Sequence, residues 1–215
     1  MDKDNLNYDI LKEMFNIGVG KAAGMLSEII NKKILLDVPN IEVLNLENSN
    51  SEIEKGFSKT LKGTLMISSI TFEEKITGQA NLIFPAEKMR KFINLCISQK
   101  NESIEKDMSF TDIDFDIIKE IGNIILNSII GEMGNFLDVT LDYTLPKVKL
   151  FNNTDFKNNI KNNIKNKKEA CMLMLYITFI IDDIEIEGAI IIDLTLNSLN
   201  NLMKIIEKME DDLNG

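Results

Sequence analysis

Residues 9–17 read DILKEMFNI and residues 116–124 read DIIKEIGNI. The two stretches agree at six of nine positions, with an offset of 107. Isoleucine matches come cheaply in so Ile-rich a chain, but the shared Asp, Glu and Asn do not. At the same offset Gly24 meets Gly131 and Pro39 meets Pro146. The chain has three prolines, and two of them follow the repeated Asn residues, each after 22 intervening residues. Such agreement marks an internal repeat.

Outward from the repeats, residues 6–31 carry Ile10, Leu11, Met14, Ile17, Ala22, Met25, Leu26 and Ile29 at helical spacing. A break is expected near Gly18-Val19-Gly20. Residues 111–137 repeat the helix and open on Thr111 with Asp114 three positions on, an N-terminal capping pattern. A strand is expected after each proline, over Ile41–Leu46 and Lys147–Leu150. Thr64–Ile70 and Ile76–Phe84 alternate around a turn at Phe72–Lys75, and Met172–Ile181 and Ile184–Leu194 do so around Asp182-Asp183. Each hairpin feeds a helix. Pro85 suits a first helical turn, and Ala86, Met89, Phe92, Ile93 and Cys96 line one face. Leu196, Leu199, Leu202, Met203 and Ile206 line the other helix.

The expected class is α+β: one domain over residues 1–215, with half-repeats at 6–98 and 111–212. Each half is helix–strand–hairpin–helix. The halves are expected to be related by pseudo-two-fold symmetry, with both long helices packed on one antiparallel sheet. Asn48–Lys59 and the Asn/Lys-rich stretch Phe151–Lys168 read as solvated loops.

Composition narrows the chemistry. The 215 residues suffice for a real core, and 24 Lys+Arg against 34 Asp+Glu give a net charge of −10. That balance opposes nonspecific binding to nucleic acid or to an anionic membrane. Histidine is absent, which excludes Ser-His-Asp and Cys-His relays and His-ligated zinc. Cys96 and Cys171 sit in apolar runs and read as small buried hydrophobes of a reducing compartment. The longest apolar run, Met172–Ile181, is too short for a membrane helix, and residues 1–9 do not resemble a secretory signal. A cytoplasmic protein is expected.

On a helix, Asp9, Glu13, Asn16 and position 20 share one face, and Asp116, Glu120, Asn123 and Asn127 repeat it. A solvated face tolerates any polar residue. Here Glu and Asn recur while neighbours differ, Phe15 against Gly122 and Lys21 against Ser128. Two carboxylates per face are too few for a metal cage, so no metal site is expected. A carboxamide, which donates and accepts at once, can orient a water, as in phosphoryl transfer.

These residues resemble the signature of the CheC-type chemotaxis phosphatases, which include CheC, CheX and the phosphatase part of FliY. Asp9-x3-Glu13-x2-Asn16-x22-Pro39 and Asp116-x3-Glu120-x2-Asn123-x22-Pro146 carry the likeness, and two copies in one chain look most like CheC. The resemblance implies hydrolysis of the aspartyl phosphate of a CheY-like response regulator. Asn16 and Asn123 would orient the water, and Glu13 and Glu120 would pair with the regulator's lysine. Mg²⁺ would sit on the regulator, with no cofactor on this chain. All four side chains would be exposed. Asp9 and Asp116 would support the docking surface, and Pro39 and Pro146 would start the strands. The resemblance further implies a monomer and an association with the deamidase CheD. The competing expectation is a noncatalytic scaffold of the same fold, like the middle domain of the flagellar switch protein FliM. Lys21 and Asn127 depart from the family pattern, where Asn and Gly respectively are common, and changes at either are expected to matter much less than changes at Asn16 or Asn123.

Overall fold

The computed structural model describes residues 3–45, 63–96, 110–152, 154–156, 158, 170–182 and 184–214. Helix α1 (Lys3–Ile30) leads into β1 (Ile34–Asn45), the hairpin β2 (Thr64–Glu73) and β3 (Gly78–Pro85), and helix α2 (Ala86–Cys96). The second half runs α3 (Asp112–Phe136), β4 (Asp142–Tyr143), β5 (Lys147–Asn152), β6 (Ala170–Ile181), β7 (Ile184–Thr195) and α4 (Leu196–Asn214). Seven strands form one sheet in the order β1-β6-β7-β3-β2, with β4 and β5 both on the outer side of β2. Every pairing is antiparallel.

The order reads the same from either end. β1 of the first half closes on the β6–β7 hairpin of the second, and β5 of the second closes on the β2–β3 hairpin of the first. Strands of the two halves therefore interleave, and each hairpin is completed by a strand from the other half.

Strand alternation sorts the side chains into two layers. Met66, Ile70 and Phe72 of β2, Leu173, Leu175 and Ile177 of β6, and Ile190 and Ile192 of β7 face the helices. There they join Phe15 and Leu26 of α1, Met89 and Phe92 of α2, Ile125 and Ile129 of α3 and Leu202 of α4 in one core. Phe179 anchors it beneath α2, with its ring edge-on to Phe92 at 4.7 Å. The opposite face holds a smaller cluster of Leu65, Ile67, Ile83, Met172, Met174 and Ile191.

The structure corrects several expectations. Helix α1 runs unbroken through Gly18-Val19-Gly20. Gly18 is a point of close approach: a Cβ there would lie 3.0 Å from Cα of Ile129 on α3. Strand β1 begins at Ile34, ahead of Pro39, because Ile34–Asp37 already pair with Thr178–Ile181. The register shifts between Asp37 and Asn40, around a proline that has no N–H for the ladder. The side chains of Pro39 and Cys171 lie outside those described, and the Asn48–Lys59 stretch lies outside the described residues. Pro85 ends β3, and α2 starts at Ala86.

The stretch expected to be a loop from Phe151 starts as structure. Phe151 and Asn152 extend β5 by pairing with Leu65 and Thr64. Asn152 Oδ1 accepts from the Asp155 N–H at 2.7 Å and opens a helical turn, which delivers Phe156 into the opposite-face cluster. Cys96 is half-buried, and burial pushes its thiol up to about 11 against the opposing charge of Lys32, so it stays protonated and unreactive.

Gly122 is the tightest point between α3 and the sheet. A Cβ there would lie 2.2 Å from the buried Ser68 hydroxyl and 2.7 Å from Ser68 Cβ, too close for either short side chain to yield. Gly122→Ala is expected to lower unfolding stability by about 2 kcal/mol through overpacking, read as a reduced urea midpoint with an unchanged slope.

Candidate functional site

The long helices present the candidate side chains, and each is fixed differently. The α3 N-terminus is locked by a capping box: the Asp114 N–H donates to Thr111 Oγ1 at 3.3 Å, and the Thr111 N–H donates to Asp114 Oδ2 at 2.7 Å. Arg90, the chain's sole arginine, reaches from α2 to donate to the same Oδ2 at 2.7 Å, with its guanidinium 4.1 Å from the centre of the Phe110 ring. The partner ends are 16% and 6% exposed, so this is a buried ion pair.

The middle of α3 is set against α1. Beside the Gly18–Ile129 approach, Lys21 Nζ pairs with Glu132, and Ser128 Oγ lies 3.9 Å from Met25 Sδ. Val19, Ala22 and Leu26 of α1 and Ile125, Leu126 and Ile129 of α3 are buried around this crossing. The Asp/Glu stripes look outward.

Glu13 and Glu120 are exposed, as are Asp9 and Asp116. Neither Glu13 nor Glu120 has a hydrogen-bond or ion-pair partner among the described residues, which leaves each carboxylate available to an external cation. Asp116 is 3.8 Å from Lys119 on its own helix, an exposed pair of little energetic weight.

Asn16 and Asn123 depart from the expected full exposure: both are half-buried. Asn16 lies in the middle of α1 on the side that meets β1, and its Oδ1 accepts the Val38 N–H at 3.2 Å. Val38 falls in the register shift of β1, where its N–H is not used in the pairing with β6. That bond also fixes the amide orientation, since only the oxygen can accept. The Asn-x22-Pro spacing thus has a physical content: the residue before the proline, held extended by it, supplies the anchor for the carboxamide. Pro146 is buried and immediately precedes β5, so it opens its strand as expected, whereas Pro39 lies within one. Asn123 is held by a different partner: its Oδ1 accepts from Asn127 Nδ2 at 2.8 Å.

The surroundings suit contact with another protein. Ile17 beside Asn16 is 42% exposed, and Gly20 and Gly24 leave open space above the helix. Among the described residues no group of three His, Cys, Asp or Glu side chains could hold a metal ion, and no helix is long and apolar enough to cross a membrane.

No protein-family profile matches the chain. Over 144 residues it is 27% identical to the CheY-P phosphatase CheC of Bacillus subtilis; the match spans 66% of this chain and 65% of that protein's length. The crystal structure of Thermotoga maritima FliY superposes with a TM-score of 0.70 at 16% identity, covering 97% of this chain and 98% of the chain in that structure. The FliM middle domain of H. pylori superposes at 0.60 with 10% identity, covering 95% and 99%. The likeness read from the two motifs is therefore one of sequence, to CheC, and of fold, to FliY. The same fold occurs in FliM, so architecture alone does not separate a phosphatase from a scaffold.

Among these groups Asp114 has a perturbed acidity. Burial alone would raise its carboxyl, but the Thr111 N–H, Arg90 and the Thr111 hydroxyl together hold it below the ordinary carboxylate range. The unfolded chain therefore takes up the proton more readily. The stabilisation is full above the unfolded value of about 4 and is lost as pH falls through the lower folded value. Asp114→Ala is expected to cost about 3 kcal/mol at pH 7 by removing both the buried pair with Arg90 and the α3 cap. The wild-type advantage should hold from pH 7 to about pH 5 and shrink below it, as followed by denaturant titration across pH.

Proposed function

We propose that this protein hydrolyses the aspartyl phosphate of a CheY-like response regulator, with two active faces, Glu13/Asn16 on α1 and Glu120/Asn123 on α3. The observation that carries the reading is the pair of glutamates with no partner among the described residues, each one helical turn from a carboxamide whose oxygen is already anchored. The sequence likeness to CheC supports it.

Such a face complements a regulator that brings its own lysine, Mg²⁺ and phosphoryl group. Glu13 or Glu120 docks on the lysine, a charge-assisted contact that also sets the register of the two proteins. The anchored carboxamide holds a water in line with phosphorus. A new P–O bond forms to the water oxygen while the acyl P–O bond breaks, giving inorganic phosphate and the free aspartate. There is no covalent intermediate on this chain. Positioning is the main contribution, as expected for phosphoryl transfer. A cytoplasmic location, a monomeric state and binding to the deamidase CheD are further parts of this proposal. The second reading, a noncatalytic module like the FliM middle domain, draws on the shared fold; the exposed glutamates, each beside an anchored and half-buried carboxamide, favour catalysis.

Phosphate release from a phosphorylated CheY-like regulator, with and without this protein, tests the reading. Wild-type protein should accelerate release, Asn16→Ala and Asn123→Ala should each retain part of the activity, and the double variant should retain none while keeping its helical circular dichroism. A double variant as fast as wild type, or a wild type without effect, would remove the proposal.

A further inference from the structure

Asn16 and Asn123 are equivalent by sequence yet held by different partners. The anchor of Asn16 is the Val38 N–H. Its counterpart at the same offset is Leu145, whose side chain is 81% exposed where Val38 is fully buried. Among the described residues, Leu145 makes no hydrogen bond to Asn123. The second copy instead has Asn127, one turn further along α3, where the first copy has Gly20 and open space. Two differences between the copies thus offset each other: one anchor is missing, and a side chain stands ready to replace it.

We infer that Asn127 is the positioning residue of the second face, holding the Asn123 carboxamide as the Val38 N–H holds that of Asn16. The inference rests on the phosphatase reading. Asn127 gives little to stability at its own position. Asn is a poor helix former, and Asn127 Oδ1 is buried without a partner among the described residues. Its one described hydrogen bond is the donation to Asn123, across the i, i+4 spacing that places side chains on one face. Bonded through its oxygen, the Asn123 amide keeps its Nδ2 and a second oxygen lone pair for a water. This reverses the expectation that position 127 matters little.

The test uses full-length Asn16→Ala protein, in which only the second face acts, with Asn127→Asp or Asn127→Ala added. Aspartate is isosteric but has no donor at neutral pH. With a CheY-like regulator phosphorylated by a small phosphodonor, kcat should fall about tenfold, the effect of one neutral hydrogen bond. KM should stay unchanged, because Glu120 still docks. The thermal midpoint of the Ala variant should be unchanged or higher. In ¹⁵N-labelled protein the side-chain amide order parameter of Asn123 should drop in the Asn127→Ala variant, which offers neither donor nor acceptor. Full kcat in Asn127→Asp, an equally rigid Asn123 amide in Asn127→Ala, or a joint change of KM and thermal midpoint that marks a merely structural role would each overturn the inference. If the Asn16→Ala parent and wild type both fail to speed phosphate release, the phosphatase reading falls, and the order parameter alone decides the anchor.

Discussion

The backbones of α1 and α3 meet at Gly18, where even a methyl group would press on Cα of Ile129 at 3.0 Å. Much else follows from that contact. Helices this close bury one face each, so Val19, Ala22, Leu26, Ile125, Leu126 and Ile129 become core. Each large apolar side chain so buried is worth about 2 kcal/mol relative to exposure. With those faces committed, the opposite faces must carry the charge, and Glu13 and Glu120 point to solvent. Gly122 fixes the second boundary by bringing α3 against Ser68 of β2. The candidate residues therefore sit on a rigid helix pair over a seven-stranded sheet, the kind of support that accurate placement of a water requires.

Much of this was legible in the sequence because it is periodic. Helical spacing predicted both long helices, and Thr111 with Asp114 marked the α3 cap that the structure shows. Strand alternation predicted both hairpins to within a few residues. The misreadings have common causes. Glycine signals both helix breaks and close packing, and sequence spacing does not say that Ile129 waits opposite Gly18. A proline that interrupts a strand looks like one that begins it, so the first half of β1 was missed. The Asn/Lys composition after residue 150 concealed Phe151 and Phe156, two anchors that pin this stretch to the sheet.

The candidate site was legible as a list of residues but not as a set of bonds. Spacing alone identified Glu13, Asn16, Glu120 and Asn123. That each amide is half-buried and tied by its oxygen depends on the β1 irregularity at one copy and on Asn127 at the other. Neither partner carries a signal until the helix and strand are placed side by side. The fold shared with FliY and FliM gives a scaffold that does not by itself dictate a chemistry; the proposed one rests on the Glu/Asn faces.

The central claim is that the outward faces of α1 and α3 receive the regulator. Hydrogen–deuterium exchange on this protein, alone and with a CheY-like regulator held in its phosphorylated form by beryllofluoride and Mg²⁺, tests it most directly. The account predicts slowed exchange in peptides covering residues 9–20 and 116–127, with the sheet unchanged. Protection confined to the β1 edge or to the sheet face opposite the helices, with both helices unaffected, would contradict it.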